Sequence, residues 1–408
     1  MSSPTSAASG IEVAVIGAGI IGACIAHHLT RRGATVSLID RDEPGRGCSY
    51  GNSGAISESS VAPMAMPGVL ASIPGMLADP RGPLYLPPGY LPYAAPWLAR
   101  FVTSTRGDRI DAAAASLAAL HAGAVDKHIA LTRELGIPEI LAQRGHLHLY
   151  PDRKSLDKDA GAWALRKRFG FAFEQLDRAG IVALEPQVGP RYQLGMFLAD
   201  HATVLNPFRY VQAIVKAGSD AGARLVRQDV SRITPLAEQR WQVQYGTTTQ
   251  GFDHVVVAAG AWSRRLLDPL GVRIHLESQR GYHVQFQGGP KVVSRTVVLA
   301  DRKVFVTPME DGIRAGGTVE IGGLTRPPNL KRAELLARIT RETFAGLEQV
   351  ESTQWMGHRP CTPDTVPVVG AAPGNPGLWI ATGHGHLGMT DSISTAERIA
   401  DGVLKAAQ

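Results

Sequence analysis

Residues 12–40 read EVAVIGAGIIGACIAHHLTRRGATVSLID. Two β-branched runs, 12–16 and 35–39, flank a glycine-rich turn and an apolar helical stretch that runs to Arg32. Gly33 then stands where a helix-ending glycine belongs. Strand, helix and strand within about 30 residues make a βαβ unit, which predicts a parallel sheet covered on both faces. Gly17, Gly19 and Gly22 fill the three slots of GxGxxG, and Asp40 closes the second strand. Such glycines let the backbone approach a pyrophosphate laid on the positive end of the helix, while the acid can accept from the adenosine ribose hydroxyls. Dinucleotide binding is the expectation; the bland alternative is a coincidental glycine-rich turn.

NAD and FAD share this unit, so the choice between them rests on the next stretch of chain. Residues 46–57, RGCSYGNSGAIS, supply Gly47, Ser49, Gly51, Asn52, Ser53 and Gly54, a loop of small polar residues able to lie along a long cofactor. A nicotinamide protein has no need of it there, and a nicotinamide-dependent dehydrogenase is the rival this loop argues against.

Farther out, the 408 residues are 44% hydrophobic and 19% charged, enough for two or three domains with real cores. Three scattered cysteines, Cys24, Cys48 and Cys361, offer neither a disulfide framework nor a cysteine zinc site, and the expected setting is a reducing cytoplasm. The net charge of +6 comes in doublets such as Arg31-Arg32 and Arg264-Arg265 interleaved with acids, so nucleic acid is not an expected partner. Residues 13–26 form the longest uncharged apolar stretch, too short to span a bilayer at about 20 residues. The first ten residues read as a flexible lead-in and not a signal peptide.

Residues 63–96 carry nine of the 27 prolines, which excludes a regular helix or central strand and predicts a loop-rich cap or a wall over an active site. Residues 111–136 read as one amphipathic helix with His121 and His128 on its surface, and no metal site is expected. Asn206 is a natural cap for a helix ending at Gly222. Alternating runs at 281–286, 296–299, 304–307 and 313–318 predict an antiparallel sheet, closed by a helix over 330–347, with a last helix from about 391 to 406.

The pieces VAVIGAGIIG with IDRD, CSYGNSGAIS, APMAMPGVL, LDRAGIVALEP, VVVAAGAWS, IRAGGTVEIGG, HRPCTPDTVPVVG and GHGHLGMT run from Val13 to Thr390. In that order the chain resembles the D-amino-acid oxidase-like family of flavoproteins, most closely its bacterial D-amino-acid dehydrogenase branch. The resemblance implies an α/β fold: a Rossmann-type FAD-binding domain with an inserted α+β substrate domain built on an antiparallel sheet. The FAD-binding part would comprise residues 1–63, 200–265 and 350–408, and the substrate part residues 64–199 and 266–349.

By the same resemblance FAD is held non-covalently. Gly17, Gly19, Ile20, Ile21 and Gly22 meet the pyrophosphate, and Asp40 with Arg41 the ribose. The loop from Ser49 to Ala55, with Gly51, Asn52, Ser53 and Gly54, follows the ribityl chain, and Gly47, Cys48 and Ile56 beside it are counted among the cofactor contacts. Val230 lies at the adenine end, and Ala259, Gly260, Ala261 and Trp262 near the phosphates. His384, Gly385, His386, Leu387 and Gly388 face the flavin pyrimidine, where amides ahead of a helix stabilise negative charge, and Gly383, Met389 and Thr390 beside them are counted among the cofactor contacts. Asp40 stands where many family members carry Glu. Met389 stands where much of the branch has Trp, and His386 where it has no histidine.

A substrate carboxylate calls for a guanidinium. Arg359 and Arg280 are the candidates, with Arg359 also counted among the cofactor contacts, and Tyr282 is the neighbour taken to share the face of Arg280. No catalytic base is expected, and Cys361 does not match the cysteine that carries flavin covalently in sarcosine-oxidising relatives. The implied activity is oxidation of the CH–NH bond of a D-amino acid or cyclic imino acid, such as D-proline or hydroxy-D-proline. Electrons would pass to a quinone or another acceptor in preference to oxygen, and the expected location is cytoplasmic, with or without peripheral contact at the inner membrane. The alternatives are a glycine/sarcosine-type oxidase making hydrogen peroxide and an electron-relay subunit of a larger complex.

Overall fold

In a computed structural model that describes residues 10–79 and 82–407, the opening unit forms the strand Glu12–Ile16, the helix Ile20–Arg31 and the strand Thr35–Asp40. Gly33 takes φ 91° just past the helix, the left-handed turn that only glycine enters without strain. The lead-in expected over residues 1–9, and residues 80 and 81 of the proline-rich stretch, lie outside the described residues.

The two strands pair in parallel, and the sheet grows to six by recruiting distant chain. Arg224–Arg227 joins beside Thr35–Asp40, and His254–Val257 then Leu378–Thr382 on the other side, all parallel. Val368–Ala371 is an antiparallel edge. Val13, Val15, Val255 and Val256 are fully buried, as apolar strands covered on both faces must be. One face packs Ile25 and Leu29 against Ile393 and Ile399 of the helix Gly388–Ala406, with Ile214 of the helix Pro207–Asp220 in the same cluster. The other face packs on the three-stranded sheet of Val230–Pro235, Trp241–Tyr245 and Thr248–Phe252 through Trp241, Val243 and Phe252.

A second sheet has nine strands among the described residues. Along its main path they run Ser352–Cys361, Glu277–Phe286, Gly312–Ile321, Val304–Met309, Thr296–Leu299, His146–Tyr150, Leu194–Leu198 and Glu174–Leu176. The short strand Leu84–Tyr85 pairs with Gly312–Ile321. Its pairs are antiparallel except Thr296–Leu299 with His146–Tyr150, and Leu84–Tyr85 with Gly312–Ile321. The expected antiparallel sheet is thus mixed, because strands brought together from far along the chain are not bound by hairpin geometry. The helix Lys331–Thr343 covers its core.

Three expectations are corrected. Residues 63–96 do contain helix: Val69–Ala78 with Pro74 inside, and the start of Leu91–Ser104 with Pro92 in its first turn and Pro96 inside. A proline in the first turn removes only an amide that has no helical partner, and Trp97 and Phe101, stacked 5.4 Å apart and buried, offset the cost of Pro96. Residues 111–136 form two helices, Gly107–His121 and Ala124–Glu134, broken at Gly123 with φ 68°. His121 and His128 are fully buried, not on the surface. His128 Nε2 is hydrogen-bonded to Met389 O on the C-terminal helix at 2.9 Å, and His121 is hydrogen-bonded through Nδ1 to Glu58 O at 3.3 Å while its Nε2 faces Asp391 Oδ1 of that helix at 3.1 Å. Among the described residues no helix is long and apolar enough to cross a membrane.

Candidate active site

Three stretches far apart in sequence, within residues 16–52, 228–266 and 358–389, wall one cleft of about 1250 Å³ including its open mouth. At its floor the Gly17 N–H donates to Ile39 O at 2.8 Å, at φ 105°. A Cβ there would lie 2.4 Å from Ala258 O, and one on Gly22 would lie 1.8 Å from Gly17 O. The turn is pressed between strand ends and helix so closely that only glycine fits. Gly19 is the N-cap of the helix, and Ile20 N–H donates to Ser49 Oγ at 2.9 Å.

Asp40 lines the cleft while its Oδ2 accepts from Ala18 N at 2.6 Å and its Oδ1 from Asp42 N at 3.0 Å. Burial raises its carboxyl above the usual range. Backbone packed to glycine dimensions, a helix start and an acid at the next strand end are the donor and acceptor set that a dinucleotide needs, so the cleft fits FAD.

Of the residues singled out by sequence, the wall brings together Gly17, Gly19, Ile20, Ile21, Asp40, Arg41, Gly47, Cys48, Ser49, Asn52, Val230, Ala259, Gly260, Ala261, Trp262, His384, Gly385, Gly388 and Met389. Others stand behind it. Gly51 lies under Trp355, whose ring a Cβ would meet at 1.8 Å. Gly54 packs on Val204, and Ala55–Ile56 pairs with Ala202–Val204, so this part of the loop is built into a small sheet. Ser53 Oγ would lie 3.0 Å from a Cβ on Gly316, and Thr390 Oγ1 accepts from Ser57 N at 3.1 Å.

The turn at residues 383–388 reaches the wall by two left-handed glycines, Gly383 at φ 92° and Gly385 at φ 54°. Gly385 N–H donates to Pro360 O at 2.8 Å, which ties the turn to the strand Ser352–Cys361, and the Leu387 N–H donates to His384 O. Burial pushes His384 down to about 4. His386 keeps exposed surface, yet the protein around it and then the Arg359 charge hold it at about 4 as well. Both imidazoles are neutral near pH 7.

His358 and Pro360 also line the cleft, although the sequence reading missed them. Arg359, between them on the strand, turns to the opposite face and is not in the cleft wall. Arg359 extends over Gly281, where a Cβ would meet its Cζ at 2.1 Å. Its Nη1 donates to Thr318 O at 2.9 Å and its Nη2 to Gly317 O at 3.4 Å. Its charge acts on both Cys48 and His386, lowering the pKa of each.

Arg280 and Tyr282 are placed otherwise than the sequence reading expected. Arg280 is fully buried, with Nη1 paired to Glu320 Oε1 at 2.9 Å and Nη2 donating to Arg326 O at 2.8 Å. Tyr282 does share its face, but its hydroxyl donates to Glu320 Oε2 and accepts from Asn329 N at 2.9 Å. A buried guanidinium must be paired, and Glu320 supplies the pair, so neither polar end is turned to the cleft.

Beyond Arg359 the chain forms a cap. Trp97 Nε1–H donates to Cys361 O at 3.0 Å, Met64 N–H to Thr365 Oγ1 at 2.9 Å and Val319 N–H to Pro83 O at 2.7 Å. Ala65, Trp97 and Phe101 pack on Ile321 and Cys361. Burial pushes the Cys361 thiol up to about 12 and raises that of Cys48.

A family model described as FAD dependent oxidoreductase matches residues 12–402. The chain is 37% identical over 398 residues to a D-amino-acid oxidase of Bradyrhizobium diazoefficiens, covering 96% of this chain and 94% of the relative. It is 30% identical over 402 residues to a D-amino acid dehydrogenase of the same organism, again covering 96% and 94%. A solved glycine oxidase from Geobacillus kaustophilus superposes with a TM-score of 0.77 at 21% identity, over 97% of this chain and 95% of that one. An L-proline dehydrogenase from P. horikoshii gives 0.75 at 17% identity, over 97% and 94%; these likenesses show the fold.

Proposed function

Because the chain belongs to the FAD-dependent oxidoreductase family, we propose that it oxidises the Cα–N bond of a D-amino acid or cyclic imino acid to an imine, which water converts to a keto acid. The observation that carries this is a dinucleotide cleft walled in part by the 383–388 turn and by His358 and Pro360, the strand neighbours of Arg359. FAD, when bound, accepts the hydride leaving Cα.

The chain does the rest. The turn at Gly17, Gly19 and Gly22 and the start of its helix receive the pyrophosphate, Asp40 the ribose, and Val230 the adenine end. The amides of residues 383–388 and the helix behind them favour negative charge at the pyrimidine end. Arg359 holds the substrate carboxylate through paired N–H donors. His384 and His386, held neutral, put no competing positive charge beside that site. The cap built on Ala65, Trp97 and Phe101 would keep water from it. The raised thiol pKa values of Cys48 and Cys361 disfavour thiolate chemistry and support non-covalent attachment.

The same reading assigns residues 1–63, 200–265 and 350–408 to FAD and 64–199 and 266–349 to substrate. The parallel sheet, drawn from residues 12–40, 224–257 and 368–382, supports it, while the strand Ser352–Cys361 links the two parts by pairing with Glu277–Phe286.

In the dehydrogenase reading, which the name of the 30% identical relative supports, the electrons would go to a quinone or another acceptor other than oxygen. A second reading, an oxidase that passes them to oxygen and makes hydrogen peroxide, is supported by the 37% identical relative. Peripheral contact with a membrane belongs to the first. It is supported by the exposed apolar side chains Leu77, at 43%, on the helix Val69–Ala78, and Tyr93, at 74%.

The test is anaerobic reduction of the bound flavin by paired D and L amino acids, including proline and hydroxyproline. Bleaching by D forms is expected, and bleaching by none refutes the proposal. Dye reduction run beside a peroxide assay then chooses the acceptor.

A further inference from the structure

The helix Gly388–Ala406 carries an acid in its first turn. Asp391 is fully buried there, and its N–H donates to Leu387 O at 3.0 Å. Gly388 and Met389, just before it on the same helix, line the cleft. Among the described residues neither carboxylate oxygen of Asp391 has a hydrogen-bond partner. A buried carboxylate left alone is costly, and its charge would cancel the positive helix end that favours negative charge at the pyrimidine end of the cleft. A neutralising partner is therefore required.

His121 faces it. That side chain is fully buried too, and its Nε2 lies 3.1 Å from Asp391 Oδ1, out of line for an N–H···O bond. Its Nδ1 lies 3.3 Å from Glu58 O, a carbonyl that can only accept, so Nδ1 carries a hydrogen. One further proton, on Nε2 or on the carboxyl, is then what keeps two lone pairs from meeting across a buried gap. The other charged and titratable groups around the pair are committed elsewhere. Lys127 Nζ pairs with Glu397 Oε2 at 2.7 Å, and the Glu58 carboxylate accepts from Val125 N at 2.8 Å. His128 is engaged by Tyr210 and Met389 O, and His384 by Thr395 Oγ1 at 3.0 Å. The Arg359 guanidinium lies on Gly317 O and Thr318 O, and His386, like His384, is neutral.

We infer that His121 and Asp391 are a positioning pair for the flavin: they share one proton, are neutral together, and so leave the start of the Gly388–Ala406 helix positive toward the pyrimidine end of the cofactor. This rests on the reading of residues 383–388 as the turn at that end. Which of the two side chains holds the proton does not alter the sum of their charges. The pair touches no ligand. It acts through the helix start, within one turn of Gly388 in the cleft wall, a range over which charge is felt without contact.

The test is the midpoint potential of the bound flavin near pH 7, titrated with dithionite against a reference dye, so that no substrate enters it. His121→Gln leaves the acid unopposed, and the flavin–dye equilibrium is expected to shift about tenfold toward oxidised flavin, about 30 mV for two electrons. That is the order expected of one unit of charge near the cleft at an effective dielectric of about 20. His121→Asn repeats the measurement with a smaller side chain. Asp391→Asn leaves the pair neutral and should stay within about threefold of the parent, and adding it to His121→Gln should restore the parent value. A packing role alone predicts no such rescue. If Asp391→Asn raises the potential about tenfold while His121→Gln leaves it unchanged, the pair carries a net negative charge and the inference is wrong. Variants that alter only the melting temperature overturn it too, as does loss of folding in every histidine variant, since the pair is then structural. A parent reduced by dithionite yet bleached by no D-amino acid refutes the proposed function alone, and that result is distinct from the others.

Discussion

Substituting Gly281 by alanine tests the substrate site without deleting any functional group. Gly281 lies in the strand Glu277–Phe286 and is not among the glycines with positive φ, so alanine fits its backbone. The new Cβ would meet Arg359 Cζ at 2.1 Å, Nη2 at 2.2 Å and Nη1 at 2.5 Å, all at the far end of a flexible side chain. Ordinary contact begins at 3.4 Å, so the guanidinium must retreat by at least 3.4 − 2.1 = 1.3 Å while the strands stay in place. A shift of about 1 Å in a positioning group costs on the order of 10²-fold. Loss of one to two hydrogen bonds to a charged group, about 2–3 kcal/mol, gives a similar figure, roughly 30- to 150-fold. Gly281 does not line the cleft, so flavin content should be unchanged. Steady-state kinetics with the best D-amino acid, together with the flavin-to-protein absorbance ratio and a melting curve, provide the assay. A folded, flavin-replete Gly281→Ala protein with a KM within about threefold of the parent would refute the assignment of Arg359 to the carboxylate.

Other outcomes are set by the same contacts. Gly22→Ala places a Cβ 1.8 Å from the Gly17 carbonyl, which is backbone and cannot swing away, so FAD affinity should fall about 10- to 100-fold; quenching of flavin fluorescence by the apoprotein measures it, and an unchanged affinity contradicts the cleft. Tyr282→Phe removes a hydrogen bond to buried Glu320, so stability should drop by about 1–3 kcal/mol in denaturant while KM stays put; a large rise in KM would restore Tyr282 to the substrate site. His128, His146 and His384 are held by burial at about 4, below their ordinary 6.5. As pH falls the unfolded chain takes up these protons first, so stability is full above about pH 6.5, is lost between there and about pH 4, and levels off below. Each site contributes on the order of 3 kcal/mol at most, and a denaturation midpoint flat from pH 7 to pH 5 would contradict the burial of these imidazoles.

Legibility in the sequence tracks the range of the interactions. Residues 12–40 announce their strand, helix and strand because the periodicity, the glycine spacing and the helix stop are all local, and the structure reproduces them. His121 and His128 misled because a histidine is polar in sequence whatever stands opposite it. Their partners, Asp391 and Met389, are more than 250 residues away. The prolines of residues 63–96 misled for a related reason. Proline's local cost is legible, but the burial of Trp97 and Phe101 that offsets it is tertiary.

Arg280 and Arg359 show the same limit within the site itself. Each sits in a suggestive motif, and nothing within either motif ranks one guanidinium above the other. The ranking comes from register. Glu320 pairs with Arg280 across the strands and neutralises it inside the protein, while the residue beside it, Gly281, leaves a side-chain gap over which Arg359 extends. A one-residue slip between these strands would reverse both outcomes, because alternate side chains exchange faces. The bulge at Thr318 and Val319 is what breaks the register at that point. It follows that the left-handed Thr318, at φ 57°, the missing side chain at Gly281 and the seat of the Arg359 guanidinium on Gly317 O and Thr318 O are one feature. Substitutions at residues 281 and 318 should therefore be non-additive, with the double variant little worse in KM than Gly281→Ala alone, since the first displacement already removes what the second would disturb.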